Sequence, residues 1–366
     1  MKVIMSGGGT AGHVFPAIAV ARRLAEAGHD VRFIGSSEGQ EATLVPAAGF
    51  PFSPVRVISA QTRLALRSVK ALSMALLAAR DVRHMVRASN VVVGIGGYAS
   101  APAIIAARRT RTPVVLIEPN SVPGLVNRIA ARWASVVATT FGSTQTRLPA
   151  GTRVVRTGDP IRREIAEVAS ALGDRRAQAI RAFELDGDRM TVTVFGGSQG
   201  ARRLDQLIAA ANDGLRDRGD LQVLVAAGPA HVDEVAAAAG SAQRLLVRVV
   251  GFIDRMDLAL AVSDLAVARS GAGTVSELTA CAIPSILVPY PHATDDHQHA
   301  NARELEQAGA AEVMPEPTLT GSALAARIAA LIDDEPRRAS MAAAARRWSS
   351  PDADERIARL VTEVAA

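Results

Sequence analysis

Short, uninterrupted apolar runs alternate with longer segments of helical periodicity in the first half of the chain. The runs are Val3–Met5, Val31–Ile34, Val91–Val93, Val114–Ile117 and Val136–Ala138. Between the first two runs, apolar residues recur at helical spacing from about Val14 to Ala27, and Gly28 ends the segment. Continuous apolar strands joined by helices are typical of a parallel sheet covered on both faces. This pattern predicts a doubly wound α/β domain.

The rhythm stops near Val155–Pro160 and resumes after the polar stretch Arg162–Arg189. The second series of apolar runs is Thr191–Phe195, Val223–Ala227, Val247–Val250, Leu265–Ala268 and Ile286–Val288. We therefore predict an α/β protein with two doubly wound, Rossmann-like domains that face a cleft, residues 1–157 and 158–349.

A last helix is predicted to start at Ser350-Pro351, a capping residue followed by proline. The apolar residues on one face of this helix are Ile357, Leu360, Val361 and Val364. Such a face must pack on something, so we expect residues 350–366 to join the first domain.

The charge of the chain is distributed unevenly between the two predicted domains. Residues 1–157 contain 19 Lys and Arg against 6 Asp and Glu, whereas residues 158–366 contain 22 against 30. The first domain is therefore expected to face an anionic partner, such as nucleic acid, a phosphorylated substrate or a membrane surface. Aromatic residues make up only 3% of the chain, which disfavours the base stacking of single-strand nucleic-acid binders.

The single cysteine, Cys281, rules out an internal disulfide and indicates a reducing compartment. We expect it to be a small core residue rather than a nucleophile. The chain opens into a predicted strand without a signal-peptide pattern, and its apolar runs fall short of the roughly 20 residues that span a bilayer. Any membrane role is therefore expected to be peripheral.

Three glycine-rich turns follow predicted strands, at Gly7–Gly12, Gly196–Gly200 and Arg269–Glu277. A strand that feeds a glycine turn and then a helix aims backbone N–H groups at one point, where a phosphate fits. The first turn matches the G-x-G-x-x-G pattern of dinucleotide-binding proteins. That function also needs an acidic residue at the end of the second strand, and Glu38 lies beyond it, which disfavours a nicotinamide cofactor.

His13 follows the first turn at a predicted helix start, where the positive helix end disfavours an imidazolium. A neutral imidazole there is a candidate general base, although it could equally serve only to bind the turn. In the third turn, Glu277 is either the end of a Thr274-x-x-Glu277 capping box or a carboxylate for ribose hydroxyls.

Two patterns raise the question of a metal ion. His292, His297 and His299 lie beside two aspartates, but a loop that binds sugar hydroxyls is the better interpretation. Asp186-x-Asp188 and Asp352-x-Asp354 match a motif of metal-dependent glycosyltransferases, and we expect both to be structural. We therefore predict no metal and no cofactor, with helix N-termini, Arg162 and Arg269 offsetting the charge of a diphosphate.

Leu64–Val86 is a basic helical stretch. Its apolar stripe contains Val69, Leu72, Leu76 and Leu77, and the flanking cations are Arg63, Arg67, Lys70, Arg80, Arg83 and Arg87. The stripe is either part of the core or, with its cationic rim, a contact for an anionic membrane surface.

Several motifs, in the same order along the whole chain, resemble the MurG family of peptidoglycan synthesis. They are Gly7–Pro16, Gly96–Pro102, Glu118–Asn127, Gly158–Arg162, Gly196–Ala201 and Arg269–Glu277. The family transfers N-acetylglucosamine from UDP-N-acetylglucosamine to undecaprenyl-pyrophosphoryl-muramyl-pentapeptide (lipid I), which gives lipid II. The resemblance implies the two-domain GT-B fold and no nucleic-acid partner. It also implies a peripheral membrane protein at the cytoplasmic face of the cell membrane.

The resemblance also implies roles for individual residues. His13 becomes the leading candidate for the catalytic base. The donor-binding residues would be Thr10, Ala11, Gly12, Asn120, Arg162, Ser198, Gln199, Ile253, Arg269, Ala272, Gly273, Thr274, Glu277 and Gln298. The acceptor-binding residues would be Gly97, Tyr98, Glu118 and Asn127. Asp159, Ile117 and Pro119 depart from the commoner family residues, which puts the detail of the acceptor loop in question.

Two other functions are compatible with the residues themselves. One is a GT-B glycosyltransferase that uses a soluble acceptor, and the other is a non-catalytic protein that binds a sugar nucleotide. Turnover with a lipid-linked muramyl acceptor separates the expected enzyme from both.

Overall fold

The computed structural model describes residues 1–9, 11–58, 65–196, 201–239 and 244–366. These residues form two compact units. The first unit contains Met1–Arg162 together with Ser350–Ala366, and the second contains Arg163–Ser349. Each unit has its own parallel sheet with helices around it.

The first unit is built on a seven-stranded sheet. Its strands are β1 (Lys2–Ser6), β2 (Asp30–Ser36), β3 (Phe52–Val55), β4 (Val91–Gly94), β5 (Val114–Glu118), β6 (Val136–Thr139) and β7 (Val154–Arg156). They lie in the order β3-β2-β1-β4-β5-β6-β7, and every neighbouring pair is parallel. The helices up to the unit boundary are α1 (Ala11–Glu26), α2 (Glu41–Ala47), α3 (Ala65–Asp81), α4 (Arg83–Arg87), α5 (Ala101–Thr110) and α6 (Leu125–Ala130).

The second unit repeats this arrangement on a six-stranded sheet. Its strands are β8 (Met190–Phe195), β9 (Leu221–Ala226), β10 (Leu246–Val250), β11 (Leu265–Ala268), β12 (Ser285–Leu287) and β13 (Ala311–Val313), in the parallel order β10-β9-β8-β11-β12-β13. Its helices are α7 (Arg163–Ala166), α8 (Leu172–Ala182), α9 (Arg202–Leu215), α10 (Val232–Ala239), α11 (Met256–Val262), α12 (Ala272–Ala280), α13 (His297–Gln307), α14 (Gly321–Asp333) and α15 (Glu335–Trp348). The predicted fold class is confirmed.

The last helix, α16 (Ala353–Ala365), packs against α1 of the first unit. Its Ile357, Leu360 and Val361 are buried in the same core cluster as Val3 and Met5 of β1. The predicted start at Ser350-Pro351 is wrong by a few residues, because Pro351 lies in a turn and Asp352 is the N-cap residue.

Helix α3 buries alanines rather than leucines. Ala71, Ala75, Ala78 and Ala79 are buried and allow close packing on α5. Leu72 and Leu77 remain 58% and 57% exposed. The interpretation of this apolar stripe as core is therefore wrong for both leucines. Over the described ranges, no helix has the length and apolar character needed to cross a membrane.

Candidate active site

Each sheet has one point at which the chain reverses its direction of strand addition. In the first unit this switch point lies between β1 and β4, and in the second it lies between β8 and β11. In doubly wound sheets, ligands bind beyond the carboxyl ends of the strands that flank this point. The three predicted glycine turns follow β1, β8 and β11, and the Gly96–Pro102 motif follows β4, so the topology marks one candidate site in each unit.

The glycine turns after β1 and β4 approach each other closely in the first unit. A Cβ on Gly97, which has a φ of 70°, would lie 2.8 Å from the carbonyl oxygen of Gly8. A Cβ on Gly9 would lie 3.3 Å from the ring of Tyr98. The predicted acceptor residues Gly97 and Tyr98 therefore lie directly against the first turn.

His13 lies in the first turn of α1, two residues after the helix begins, and its side chain is half-buried. Ala11 and Gly12 are the first two residues of this helix, whereas Thr10 lies outside the described residues. Phe15, two residues after His13 on α1, is exposed. The guanidinium of Arg162 lies 6.0 Å from the centre of its ring. The structure thus brings His13 and Arg162 to the same end of α1.

Glu118 ends β5 and holds the loop that leads to α6. Its carboxylate accepts hydrogen bonds from the backbone N–H groups of Asn120 and Gly124, both at 3.0 Å, and from Nδ2 of Asn127 at 2.9 Å. The side chain is only 3% exposed, and this burial raises its pKa to about 7 against the opposing effect of the three donors. These contacts give Glu118 a positioning function in the loop.

Asn127 connects this loop to the turn after β4. It is fully buried, and its Nδ2 also donates to the carbonyl oxygen of Ile117 at 2.9 Å. Gly96 has a φ of 77°, and a Cβ there would lie 3.2 Å from Nδ2 of Asn127. The carboxyl ends of β4 and β5 therefore bring Gly97, Tyr98, Glu118, Asn120 and Asn127 into one region.

In the second unit, β11 leads through Arg269–Gly271 into α12. The helix begins at Ala272 with Gly271 as its N-cap residue, and the first bond of its ladder runs from Val275 N–H to the Gly271 carbonyl at 3.0 Å. The N–H groups of Ala272, Gly273 and Thr274 precede that ladder, which is the arrangement by which a helix N-terminus can bind an anion.

The same geometry excludes the capping-box interpretation of Thr274 and Glu277. A capping box requires Thr274 to be the N-cap residue, but Thr274 is already the third residue of α12. Glu277 lies half-buried one turn further along the helix. The interpretation as a cap is wrong, and the interpretation as a ligand-binding carboxylate remains a prediction.

Arg269 is buried and is held by contacts at the carboxyl end of the sheet. Its Nη1 donates to the carbonyl oxygens of Val288 and Pro289 at 3.0 and 3.3 Å, and its Nη2 pairs with Glu316. The guanidinium also lies 5.5 Å from the ring centre of Tyr290. This network fixes the strand ends around the third turn, which is a positioning function for Arg269.

Gln298 lies at the start of α13 beside the same turn. Its Oε1 accepts the Tyr290 N–H at 2.9 Å, so its amide nitrogen is turned the other way and can donate. The Ser270 hydroxyl donates to the Gln298 carbonyl at 2.8 Å, and Asn301 donates to the Ser270 carbonyl at 3.1 Å. These bonds tie the amino end of α13 to the turn before α12.

The remaining donor residues are placed less fully. Ile253 is buried in the loop after β10, next to Phe252, which is 63% exposed. Ser198 and Gln199 lie outside the described residues, so their predicted contacts stay predictions.

The patterns that suggested a metal ion have local partners. Asp186 accepts hydrogen bonds from the backbone of Asp188 and from Arg189, and Asp354 accepts one from Arg23 at 2.7 Å. His297 Nδ1 lies 2.7 Å from the Thr294 carbonyl oxygen. In the parts of the chain that the structure describes, no three His, Cys, Asp or Glu side chains form a metal-binding group.

Cys281 is half-buried just after α12, where burial raises the pKa of its thiol to about 12. A thiol that stays protonated is a poor nucleophile, which supports the prediction that Cys281 is not one.

Sequence reasoning missed three polar residues that organise these sites: Glu41, Asn301 and Glu316. Glu316 pairs with Arg269 from 47 residues away, and Asn301 bonds to Ser270 from 31 residues away. Local spacing contains no signal for such partners. The sequence signal for Glu316 was Arg269 itself, because an arginine that is buried at the end of a strand needs a counter-charge.

Comparison with known proteins agrees with this arrangement. Residues 3–139 match the glycosyltransferase family 28 N-terminal domain, and residues 191–357 match its C-terminal domain. Two relatives carry the name UDP-N-acetylglucosamine–N-acetylmuramyl-(pentapeptide) pyrophosphoryl-undecaprenol N-acetylglucosamine transferase. The Lactiplantibacillus plantarum protein is 35% identical over 100% of this chain and 99% of its own. The Shewanella pealeana protein is 37% identical over 100% and 97%.

A solved structure gives the same result for the fold. The crystal structure of Acinetobacter baumannii MurG superposes with a TM-score of 0.79 at 29% identity and covers 99% of both chains.

Two doubly wound units in one chain, each with a glycine turn at its switch point, form the GT-B fold, and the two domain matches show that this chain is a glycosyltransferase with that fold. The chain belongs to glycosyltransferase family 28 and, within it, to the MurG family. The resemblance seen in the sequence motifs is thereby confirmed.

Proposed function

We propose that this protein transfers N-acetylglucosamine from UDP-N-acetylglucosamine to the C4 hydroxyl of the muramyl sugar of lipid I, which gives lipid II for peptidoglycan synthesis. The observation that carries the proposal is the identity of 34–37%, over the full chain, to relatives whose name states this sugar and this lipid-linked acceptor. The placement of the candidate residues at the two switch points supports it.

The donor is proposed to bind in the second unit. The N–H groups of Ala272, Gly273 and Thr274 would bind the diphosphate at the positive end of α12. Glu277, about one turn beyond Thr274, would accept hydrogen bonds from the ribose hydroxyls, and Gln298 would donate to N-acetylglucosamine. The backbone of Ile253 would hold the uracil, and Ser198, Gln199 and Arg162 would complete the diphosphate site.

The acceptor is proposed to bind in the first unit. Gly97 and Tyr98 would contact the muramyl sugar and its diphosphate. Glu118 and Asn127 would contribute mainly by holding the loop that presents Asn120. Thr10, Ala11 and Gly12 would lie near the transferred sugar, because they precede His13 on the same turn.

In the reaction, Nδ1 or Nε2 of His13 takes the proton from the C4 hydroxyl. The oxygen then forms a bond with the anomeric carbon, on the face opposite the diphosphate, while the bond from that carbon to the diphosphate oxygen breaks. The configuration inverts, and UDP leaves with its charge offset by the backbone N–H groups and Arg162. The product is the β-1,4-linked disaccharide on the lipid.

The direct test incubates the purified protein with radiolabelled UDP-N-acetylglucosamine and a lipid-linked muramyl-pentapeptide acceptor, and separates the products by chromatography. We expect label in a lipid-linked disaccharide and release of one UDP for each sugar transferred. Transfer only to a soluble sugar acceptor, or binding of the nucleotide without turnover, would contradict the proposal. Addition of a chelator is expected to leave the rate unchanged.

We also propose that the protein acts at the cytoplasmic face of the cell membrane as a peripheral protein, with α3 and α4 towards the lipid. The outer face formed by these helices, which we call the α3–α4 face, exposes Leu72 and Leu77 among cations. The exposed cations on it are Lys70, Arg80, Arg83 and Arg87. Leu77 also lines an open groove of about 430 Å³ beside β3, together with Met74, Met85 and Pro54. Exposed leucines within a cationic rim match an anionic interface.

Reversal of charge on the α3–α4 face is expected to weaken vesicle binding. Each cation near an anionic surface contributes about 1 kcal/mol, so the triple variant Lys70→Glu, Arg80→Glu, Arg83→Glu is expected to reduce the partition coefficient by at least about 100-fold. The measurement is co-sedimentation with vesicles that contain anionic phospholipid. The matched control is Arg346→Glu with Arg347→Glu, exposed positions at the end of α15. Equal losses in both variants would argue against this face.

A further inference from the structure

Glu41 is a buried acidic residue for which the proposed mechanism has no role. It is the first residue of α2, yet its side chain turns away from its own helix. One carboxylate oxygen accepts the backbone N–H of Gly9 at 2.8 Å, and the other accepts the N–H of Ser36 at 2.8 Å. The residue is only 1% exposed. Its carboxylate therefore bridges the turn after β1 and the end of β2.

The backbone around this carboxylate is shaped to enclose it. A Cβ on Gly8 would lie 2.0 Å from Cδ of Glu41, and a Cβ on Gly39 would lie 2.1 Å from its Oε2. A Cβ on Gly35 would lie 2.7 Å from its Cγ. Glycines in the turn after β1, in β2 and in the loop after β2 thus make room for one side chain, which indicates a built site rather than a chance contact.

The place that Glu41 occupies is the place of an anion. In a strand–glycine turn–helix arrangement, the N–H groups of the turn are the donors for a phosphate. Here the Gly9 N–H already donates to the Glu41 carboxylate, which is itself an anionic group. A phosphate placed at the Gly9 N–H would lack this donor and would meet like-charge repulsion from Glu41.

We propose that Glu41 is a positioning and specificity-determining residue of the first turn. Its carboxylate occupies the Gly9 N–H from within the chain, so that the turn holds His13 in place, and the diphosphate of the donor is left to the second unit. This inference rests on the proposed function in one respect, namely that the first turn presents the catalytic base. The residue acts through the turn and does not itself contact a substrate.

The mechanical link runs along a short path. Gly9 lies four residues before His13, and α1 begins at Ala11 between them. Glu41 fixes the N–H of Gly9 relative to Ser36 at the end of the neighbouring strand β2. Without this bridge, Gly9 would lose its hydrogen bond to Glu41, and the packing of α1 would have to hold the first turn in place. A displacement of about 1 Å at a catalytic group can reduce the rate by about 100-fold.

The test uses Glu41→Gln in the full chain. The amide keeps the volume of the side chain but places an NH₂ group against one of the two backbone donors. We expect kcat to fall by about 10- to 100-fold, while the KM for UDP-N-acetylglucosamine and the Kd for UDP stay within twofold of the wild-type values. Hydrogen exchange of the peptide that contains residues 7–18 is expected to become faster. The matched control is Glu38→Gln, which removes the same charge from an exposed position on the same loop.

A second variant covers the case in which Glu41→Gln does not fold. Gly39→Ala leaves Glu41 and the first turn unchanged in sequence but places a methyl group on the carboxylate, and it is expected to give the same split between kcat and KM. Unchanged kcat and exchange in the folded variants would overturn the inference. A loss of UDP affinity equal to the loss of kcat would overturn it as well. If the wild-type protein itself shows no transfer, the proposed function fails, and the exchange measurement still tests the bridge.

Discussion

Replacement of His13 by alanine is expected to lower kcat for transfer to lipid I by about 100- to 10,000-fold. This is the usual contribution of a positioned general base. His13 lies in the first turn of α1, where the positive end of the helix favours the neutral imidazole that a general base needs. The donor contacts are proposed to lie in the second unit, so the affinity for UDP is expected to remain within about threefold of the wild-type value.

The measurement combines steady-state kinetics with calorimetric titration of UDP. His13→Asn serves as a second variant, since the asparagine side chain is polar and of similar size but cannot act as a base. His29→Ala is the matched control, because His29 follows the opposite end of the same helix. A rate within fivefold of the wild type, or a collapse of UDP binding, would remove His13 from the role of base.

Replacement of Glu277 by alanine is expected to raise the KM for UDP-N-acetylglucosamine by about 10- to 100-fold, with a change of less than about fivefold in kcat. A hydrogen bond to a charged group contributes roughly 1.5–3 kcal/mol, and 1.4 kcal/mol corresponds to a factor of ten. The ribose is remote from the reacting carbon, so its contacts stabilise the ground state and the transition state about equally.

The corresponding binding measurement compares UDP with 2′-deoxy-UDP. The wild-type protein is expected to prefer the ribose form, and the variant is expected to lose that preference. Glu335→Ala, at an exposed position at the start of α15, is the matched control for the loss of one acidic residue from the same unit. An unchanged preference for the ribose form in Glu277→Ala would show that another residue binds the sugar hydroxyls.

The central strands of both sheets could be predicted from sequence because they are buried on both faces. Leu265–Ala268 was predicted with the bounds that β11 shows, and the runs for β1, β4 and β5 lie within the observed strands. Of the four edge strands, β10 was predicted as Val247–Val250, but the other three were missed. β3, β7 and β13 are three or four residues long and only partly buried, so their apolar signal is too short to separate from loop sequence.

Helix ends show a different limit. Thr274-x-x-Glu277 has the spacing of a capping box, but the chain leaves β11 in a geometry that already makes Gly271 the N-cap residue. The start of α16 was misplaced for a similar reason, since a serine followed by proline fits both a helix start and the preceding turn. Local residue preferences do not reveal which of several adjacent positions tertiary packing selects.

In the candidate site, too, the features set by local sequence could be predicted and those set by tertiary packing could not. The glycine turns and His13 could be located from sequence, because strand, turn and helix adjoin each other along the chain. The groups that hold them could not. The carboxylate at Gly9 comes from 32 residues away, and the partner of Arg269 comes from 47 residues away. Such pairs depend on which loops the topology brings together.

The packing of α16 on α1 has a consequence for how the protein is made. The core of the first unit includes Ile357 and Val361, which leave the ribosome only after residues 163–349 have been synthesised. A nascent chain therefore holds the first unit with an open apolar surface on α1 while the second unit folds. Helix α16 covers that surface, and it is synthesised after the second unit. The first unit therefore completes its core only after the second unit has been synthesised.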